Sequence, residues 1–122
     1  MENKEFGKKL EARTKAFAIR IIKLSVNLPN TVEGKIVRNQ LTKAGTSIGA
    51  NYREANRARS KADFKNKIKI CESEASETCY WLEINIDMKW SEATESESAL
   101  NESNELLAIF TSIGKNLNPQ SL

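Results

Sequence analysis

Apolar residues recur along this chain at steps of three, four and seven, the spacing of a helix buried on one side. Leu10, Phe17, Ile21, Leu24 and Leu28 form the first stripe. It ends at Asn27-Leu28-Pro29, because a residue before proline is pushed out of the helical region. A second stripe, Val37, Leu41, Ala44, Ile48, Asn51/Tyr52 and Ala55, follows Asn30 and Glu33, which are spaced as a capping box. The third begins at Ser60-Lys61-Ala62-Asp63, another cap pattern, and runs through Phe64, Ile68, Cys71, Ala75, Thr78, Leu82 and Ile86. No Gly or Pro interrupts it before Trp90. The fourth follows Thr94-Glu95-Ser96-Glu97 and carries Leu106, Phe110, Ile113 and Leu117. Asn118-Pro119 stops it and leaves 119–122 as a frayed tail. The pattern predicts helices over about 3–28, 31–57, 61–90 and 95–117. Long helices joined by short connections predict an all-α, antiparallel, up-down-up-down four-helix bundle spanning 1–122 as one domain.

The middle of the second helix is crowded with small residues, Ala44-Gly45-Thr46-Ser47-Ile48-Gly49-Ala50. Each glycine costs a helix interior about 1 kcal/mol relative to alanine. The expected compensation is close approach of another backbone, within the subunit or across an interface. A kink or a short irregular stretch is the alternative.

Composition narrows the function classes. At 122 residues there is room for one core. Met1 to Leu10 is charged throughout, with no secretory signal, and no apolar run approaches the roughly 18 residues that a membrane span needs. A cytoplasmic protein with no membrane association is expected. Cys71 and Cys79 lie eight residues apart on one helix, about 12 Å, beyond the roughly 7 Å reach of a disulfide. They read as buried thiols in a reducing compartment. The chain contains no histidine. That removes the usual general base near neutrality, Cys–His zinc sites and the E-x-x-H motifs of di-iron bundles. No phosphate-cradling glycine loop or nucleophile elbow is present. The expectation is a protein that is not an enzyme and needs no cofactor, metal or small-molecule substrate. Glu72, Glu74, Glu77 and Glu83 are read as solvated or paired between helices. Glu74 and Asn51, both at the border of a core stripe, are expected to form a hydrogen-bonded buried pair that fixes helix register.

The net charge of +3 hides a strong asymmetry. Residues 1–70 hold 17 Lys/Arg against 6 Asp/Glu, and residues 71–122 hold 2 against 10. Attraction between packed halves is one explanation, and a basic surface kept for a polyanion is the other. The second rests on a cluster at the turn between helices two and three: Arg53, Arg57, Arg59, Lys61 and Lys65, continued by Lys67 and Lys69. Arg53 and Arg57 share a helix face at i, i+4, and Lys61 and Lys65 repeat the spacing. Such a patch neutralises phosphates without reading bases. No aromatic residues are interleaved with these charges, which argues against single-strand stacking.

Tyr80 and Trp81 cannot both face one core beside Thr78 and Leu82, so at least one large aromatic points outward. Ile19, Ile22 and Val26 are likewise off the main stripe of helix one. Two helices with a second apolar face point to oligomerisation, with Tyr80, Trp81 and Ile22 as interface candidates.

Leu28-Pro29, Gln40-Leu41 and Thr46-Ser47-Ile48-Gly49-Ala50-Asn51-Tyr52-Arg53-Glu54-Ala55 resemble the small four-helix bundle proteins encoded in bacterial 23S ribosomal RNA intervening sequences. Asp63-Phe64, Lys69-Ile70, Glu74-Ala75, Glu77-Thr78, Tyr80-Trp81-Leu82-Glu83, Glu105-Leu106 and Thr111-Ser112-Ile113 extend the match over about residues 6–117. The resemblance implies a left-handed antiparallel bundle that assembles as a homopentamer around a central channel. It also implies kinship with the accessory variability proteins of diversity-generating retroelements, basic pentamers that bind nucleic acid and a reverse transcriptase. Among the basic residues of the cluster, Arg53 alone lies inside a matching motif. Two functions remain: an oligomeric scaffold that binds structured RNA or another nucleic acid, and a protein–protein interaction module with no nucleic-acid role.

Overall fold

Each apolar stripe folds as one helix. The computed structural model describes residues 4–117, which form α1 (Lys4–Ser25), α2 (Val32–Ala55), α3 (Lys61–Met88) and α4 (Ala93–Asn116). No strand occurs among the described residues, and no helix is long and apolar enough to cross a membrane. Asn3, the stop at Asn118-Pro119 and the tail 119–122 lie outside the described residues.

Several helix ends differ from expectation, each for a local reason. α1 stops at Ser25, three residues before Leu28, because the Asn27 and Leu28 amides tighten onto the Leu24 and Ser25 carbonyls at 3.1 Å. α2 is capped by Thr31 rather than Asn30, its hydroxyl accepting from the Gly34 amide at 3.0 Å. Ser60 caps α3 as expected, accepting from the Asp63 amide at 3.0 Å. At its other end α3 closes at Lys89, in the left-handed region with φ 57°. The Trp90 and Lys89 amides return to the Asn85 and Ile86 carbonyls, the Schellman arrangement. α4 begins at Ala93 with Glu92 as its cap, so the Thr94–Glu97 box is not used. Ser96 of that box is buried instead and accepts from Asn85.

The helices meet in a cycle: α1 on α2, α2 on α3, α3 on α4, and less extensively α4 on α1. Residues pair in opposite senses along α1 and α2, with Gly7 beside Tyr52, Thr14 beside Gly49 and Ile21 beside Gly45. The same holds for α3 and α4, where Glu72 meets Thr111, Cys79 meets Ser103 and Asn85 meets Ser96. The core is mostly aliphatic, with Phe17, Tyr52 and Phe110 as its largest buried rings.

α2 runs unbroken through Gly45 and Gly49. A Cβ on Gly45 would sit 2.8 Å from Ile21 Cγ2, and one on Gly49 would sit 3.1 Å from Thr14 Oγ1. The close approach is therefore made by α1 within the subunit, and no kink is adopted. Thr14 fits there by turning its hydroxyl back onto its own helix, to the Leu10 carbonyl at 2.9 Å.

Two side-chain expectations are corrected. Asn51 does not pair with Glu74; its amide donates to the Ser47 carbonyl of its own helix at 2.8 Å. The Glu74 carboxyl is pushed up by partial burial and by Glu77 nearby, with Lys43 opposing. Near the end of α3, Asn85 rather than Ile86 is fully buried, because its amide donates to Ser91 at 3.0 Å and to Ser96 at 2.9 Å.

Both cysteines are free and buried. Burial pushes the Cys71 thiol up to about 12, with Glu74 adding to the effect, and burial raises Cys79 as well. Cys71 therefore favours folding below its ordinary value of 9.0, and that contribution is lost as pH rises toward 12. Iodoacetamide at pH 8 is expected to leave both thiols unmodified in the native chain and to label both in urea, as read by mass. Rapid native labelling of Cys71 would contradict its burial.

Candidate nucleic-acid interface

The geometry of the α2–α3 connection decides how its cations are displayed. α2 ends at Ala55, and the Arg57 and Ala58 amides tighten onto the Glu54 and Ala55 carbonyls at 3.0 Å. The chain then becomes extended at Ser60, with φ −153° and ψ 163°. Arg57 and Arg59 consequently sit in the connection itself, so Arg53 and Arg57 do not share a helix face. Arg53 occupies the last turn of α2, and Lys61 and Lys65 lie on the first turns of α3. Four of the five are exposed and Lys65 is half-buried. Among the described residues one of the five makes an ion pair: Arg53 Nε lies 3.8 Å from Glu11 Oε1.

Glu11 also accepts from the Asn56 amide at 2.7 Å, which ties the start of α1 to this turn. A Cβ on Gly7 would sit 3.6 Å from the Nδ2 of the same Asn56. The fold thereby brings exposed Lys4, Lys8 and Lys9 to the end of the bundle that carries the cluster. Gly114 against Ile68 places Lys115 of α4 at that end too. Their signal in the sequence is the lysine-rich start of helix one combined with the alternating course of the chain, neither of which marks the α2–α3 turn by itself.

Helix electrostatics do not explain all of this placement. Arg53 at the C-terminus of α2 is favoured by the helix dipole. Lys61 and Lys65 stand at the positive end of α3, where the dipole opposes them and Asp63 offsets only part. Packing of opposite halves accounts for a different set. Arg13 of α1 makes a two-pronged contact to Glu102 of α4 at 2.7 and 2.8 Å and a further bond to Glu105 at 2.8 Å. Those bonds, led by Glu102, hold its guanidinium more firmly charged.

Beside Arg53, a groove of about 370 Å³ runs between α1 and α2, floored by Gly49 and Ala50 and bordered by Lys15, Arg53, Glu11 and Glu54. Its charges are of both signs. No three or more His, Cys, Asp or Glu residues gather as a metal site among the described residues. Glu72 instead accepts from Thr111 at 2.8 Å, and Glu77 from the Trp81 indole at 3.2 Å.

The interface candidates separate into two places. Tyr80, 56% exposed, and half-buried Trp81 meet edge to face at 5.0 Å. Ile22 lies on α1, which does not pack on α3. Exposed Val32 and Ile36 at the start of α2 escaped the sequence reading.

A family model described as 23S rRNA-intervening sequence protein matches residues 8–112. The chain is also similar to a protein with unknown function from the S23 ribosomal protein family of Bacteroides thetaiotaomicron, known from a crystal structure. The two are 41% identical with a TM-score of 0.79, over 86% of this chain and 97% of that one. No curated protein matches the chain.

Proposed function

The chain belongs to the 23S rRNA-intervening sequence protein family, and from that premise we propose a non-catalytic, oligomeric helical scaffold that binds structured RNA through its basic end. The observation that carries this reading is the gathering of Arg53, Arg57, Arg59, Lys61 and Lys65 with Lys4, Lys8 and Lys9 at one end of the bundle. Two of them oppose the dipole of α3, so helix stability is not their reason for being there. Their flexible side chains suit phosphates, which fix position without reporting sequence.

In this reading the whole chain is one left-handed, up-down-up-down domain, supported by the opposite-sense pairing of α1 with α2 and of α3 with α4. The pentamer, the cytoplasmic location and the kinship with retroelement accessory proteins belong to it as well, on the strength of the sequence motifs. The protein–protein module remains as a second reading, favoured by the exposure of Val26 at 65% and Val32 at 70%.

Filter binding of a structured RNA distinguishes them. Retention is expected at about 50 mM salt and is expected to fall steeply as salt rises. Reversing Arg57, Arg59 and Lys61 to Glu should lower affinity for all RNA sequences alike. It should also flatten the salt slope by about one unit for each phosphate that is no longer neutralised. No retention at low salt, or retention indifferent to salt, would leave the protein–protein reading.

A further inference from the structure

We infer that the basic end continues along the outer face of α2, and that the two together hold a stretch of double-stranded RNA laid lengthwise on the bundle. This rests on the RNA reading above and names the form of the RNA and its path.

α2 turns Lys35, Asn39, Lys43, Thr46, Ala50 and Arg53 to one side, at steps of four, four, three, four and three. All are exposed except Thr46, which is half-buried. At a rise of about 1.5 Å per residue the line is about 27 Å long. It contains three cations and no carboxylate, since no Asp or Glu occurs among residues 34–53. Its last member, Arg53, already belongs to the basic end. Across the α1–α2 groove Lys15 adds a fourth charge, from a segment, residues 12–32, that is also free of acids. Past Lys35 the face turns apolar at exposed Val32, which sets the limit of the line.

Contacts within the bundle do not account for the two lysines. Neither makes an ion pair among the described residues, and Lys43 lies in the field of Glu74 on α3 without pairing with it. Lys35 stands near the start of α2, where the helix dipole opposes a cation, and Lys43 is mid-helix, out of the dipole's reach. The form of the RNA follows from what the face lacks. Single strands are held by bases stacked on exposed aromatic rings. Beyond Phe6, the aromatic residues of α1 and α2 are Phe17 and Tyr52, and both are buried. A paired RNA keeps its bases inside and offers phosphates and 2′-hydroxyls, and it is recognised by shape. A straight row of cations on a rigid helix meets phosphates that recur along such a duplex. The short Asn39, Thr46 and Ala50 between the cations let it come close, and the Asn39 amide supplies a donor for its backbone.

Gel-shift titration of the full chain with a blunt RNA duplex of about 16 base pairs, the span of a compact duplex-binding domain, tests the path. Lys35→Gln with Lys43→Gln is expected to lower affinity for the duplex and to flatten its salt slope by about two units. Lys89→Asn, which removes a charge at the far end of α3, is expected to leave both as in the native chain. One strand of the duplex alone is expected to bind at least about tenfold more weakly, since no ring stacks on its bases. Circular dichroism establishes that the variants fold, and all three positions are exposed. Native affinity and slope in the double lysine variant, or a single strand that binds as well as the duplex, would overturn the path. Reversal of Arg57, Arg59 and Lys61 is read on the same duplex. If that reversal weakens binding while the double lysine variant does not, the basic end stands and the line along α2 falls. Absence of any salt-dependent shift with the native chain removes both.

Discussion

Phe110→Ala is expected to lower the unfolding free energy by about 3–5 kcal/mol, a large share of the roughly 5–15 kcal/mol that a domain holds. The reason lies in how α4 is anchored. Its fully buried large side chains are Leu106 and Phe110, with Leu100, Leu107, Ile109 and Ile113 packed half-buried against the core around them. Phe110 is fully buried and meets Tyr52 of α2 edge-on, with ring centres 5.5 Å apart. Truncation removes that contact across the bundle and leaves a cavity that neighbours from α1, α2 and α3 cannot all collapse to fill. Urea titration checks it: the midpoint should fall with the slope unchanged. A double-mutant cycle using Phe110→Leu and Tyr52→Leu should return about 0.5–1.5 kcal/mol for the ring pair. A loss below about 1 kcal/mol for Phe110→Ala would mean that this ring is not packed in the core.

The helices were legible because burial imposes a period, and Leu10, Phe17, Ile21 and Leu24 write that period with large apolar side chains. Where small or polar residues take the same positions, the signal fades. Thr14 fills the gap between Leu10 and Phe17, and Ser96 and Ser103 fill the first half of the α4 stripe. Polarity reads as surface until a partner is in place. Asn85 is a core residue only because Ser91 and Ser96 receive its amide, and those serines reach it through the turn after α3. The Asn51–Glu74 expectation failed for the converse reason, since a carbonyl one turn away on α2 satisfies Asn51 before any other helix can. The basic site was half legible. Arg57, Arg59 and Lys61 are neighbours in sequence, whereas Lys4, Lys8 and Lys9 join them only through the contact of Glu11 with Asn56 and Arg53.

Gly34→Ala is expected to destabilise the protein by about 2–3 kcal/mol, although helix propensity alone favours alanine by about 1 kcal/mol. Gly34 is the third residue of α2 and is buried under the turn that enters it. A Cβ there would run into the Pro29 carbonyl oxygen and stand 2.9 Å from the carbonyl carbon. Backbone cannot rotate aside as a side chain can, and proline's ring fixes its own φ. The turn would have to open, which weakens the Thr31 cap on the Gly34 amide and disturbs buried Leu28 beside it. The other α2 glycines make the control. At Gly45 the added carbon meets the Ile21 side chain at 2.8 Å, and at Gly49 it meets the Thr14 hydroxyl at 3.1 Å and the Thr14 backbone carbon at 3.3 Å. Destabilisation should therefore decrease in the order Gly34→Ala, Gly45→Ala, Gly49→Ala, the last the mildest because its contacts are the longest and propensity offsets part of the crowding. Urea midpoints of the three variants test that order. A stabilised Gly34→Ala would mean that the α1–α2 turn does not lie against the start of α2, and the register that brings Glu11 to the basic end would lose its support.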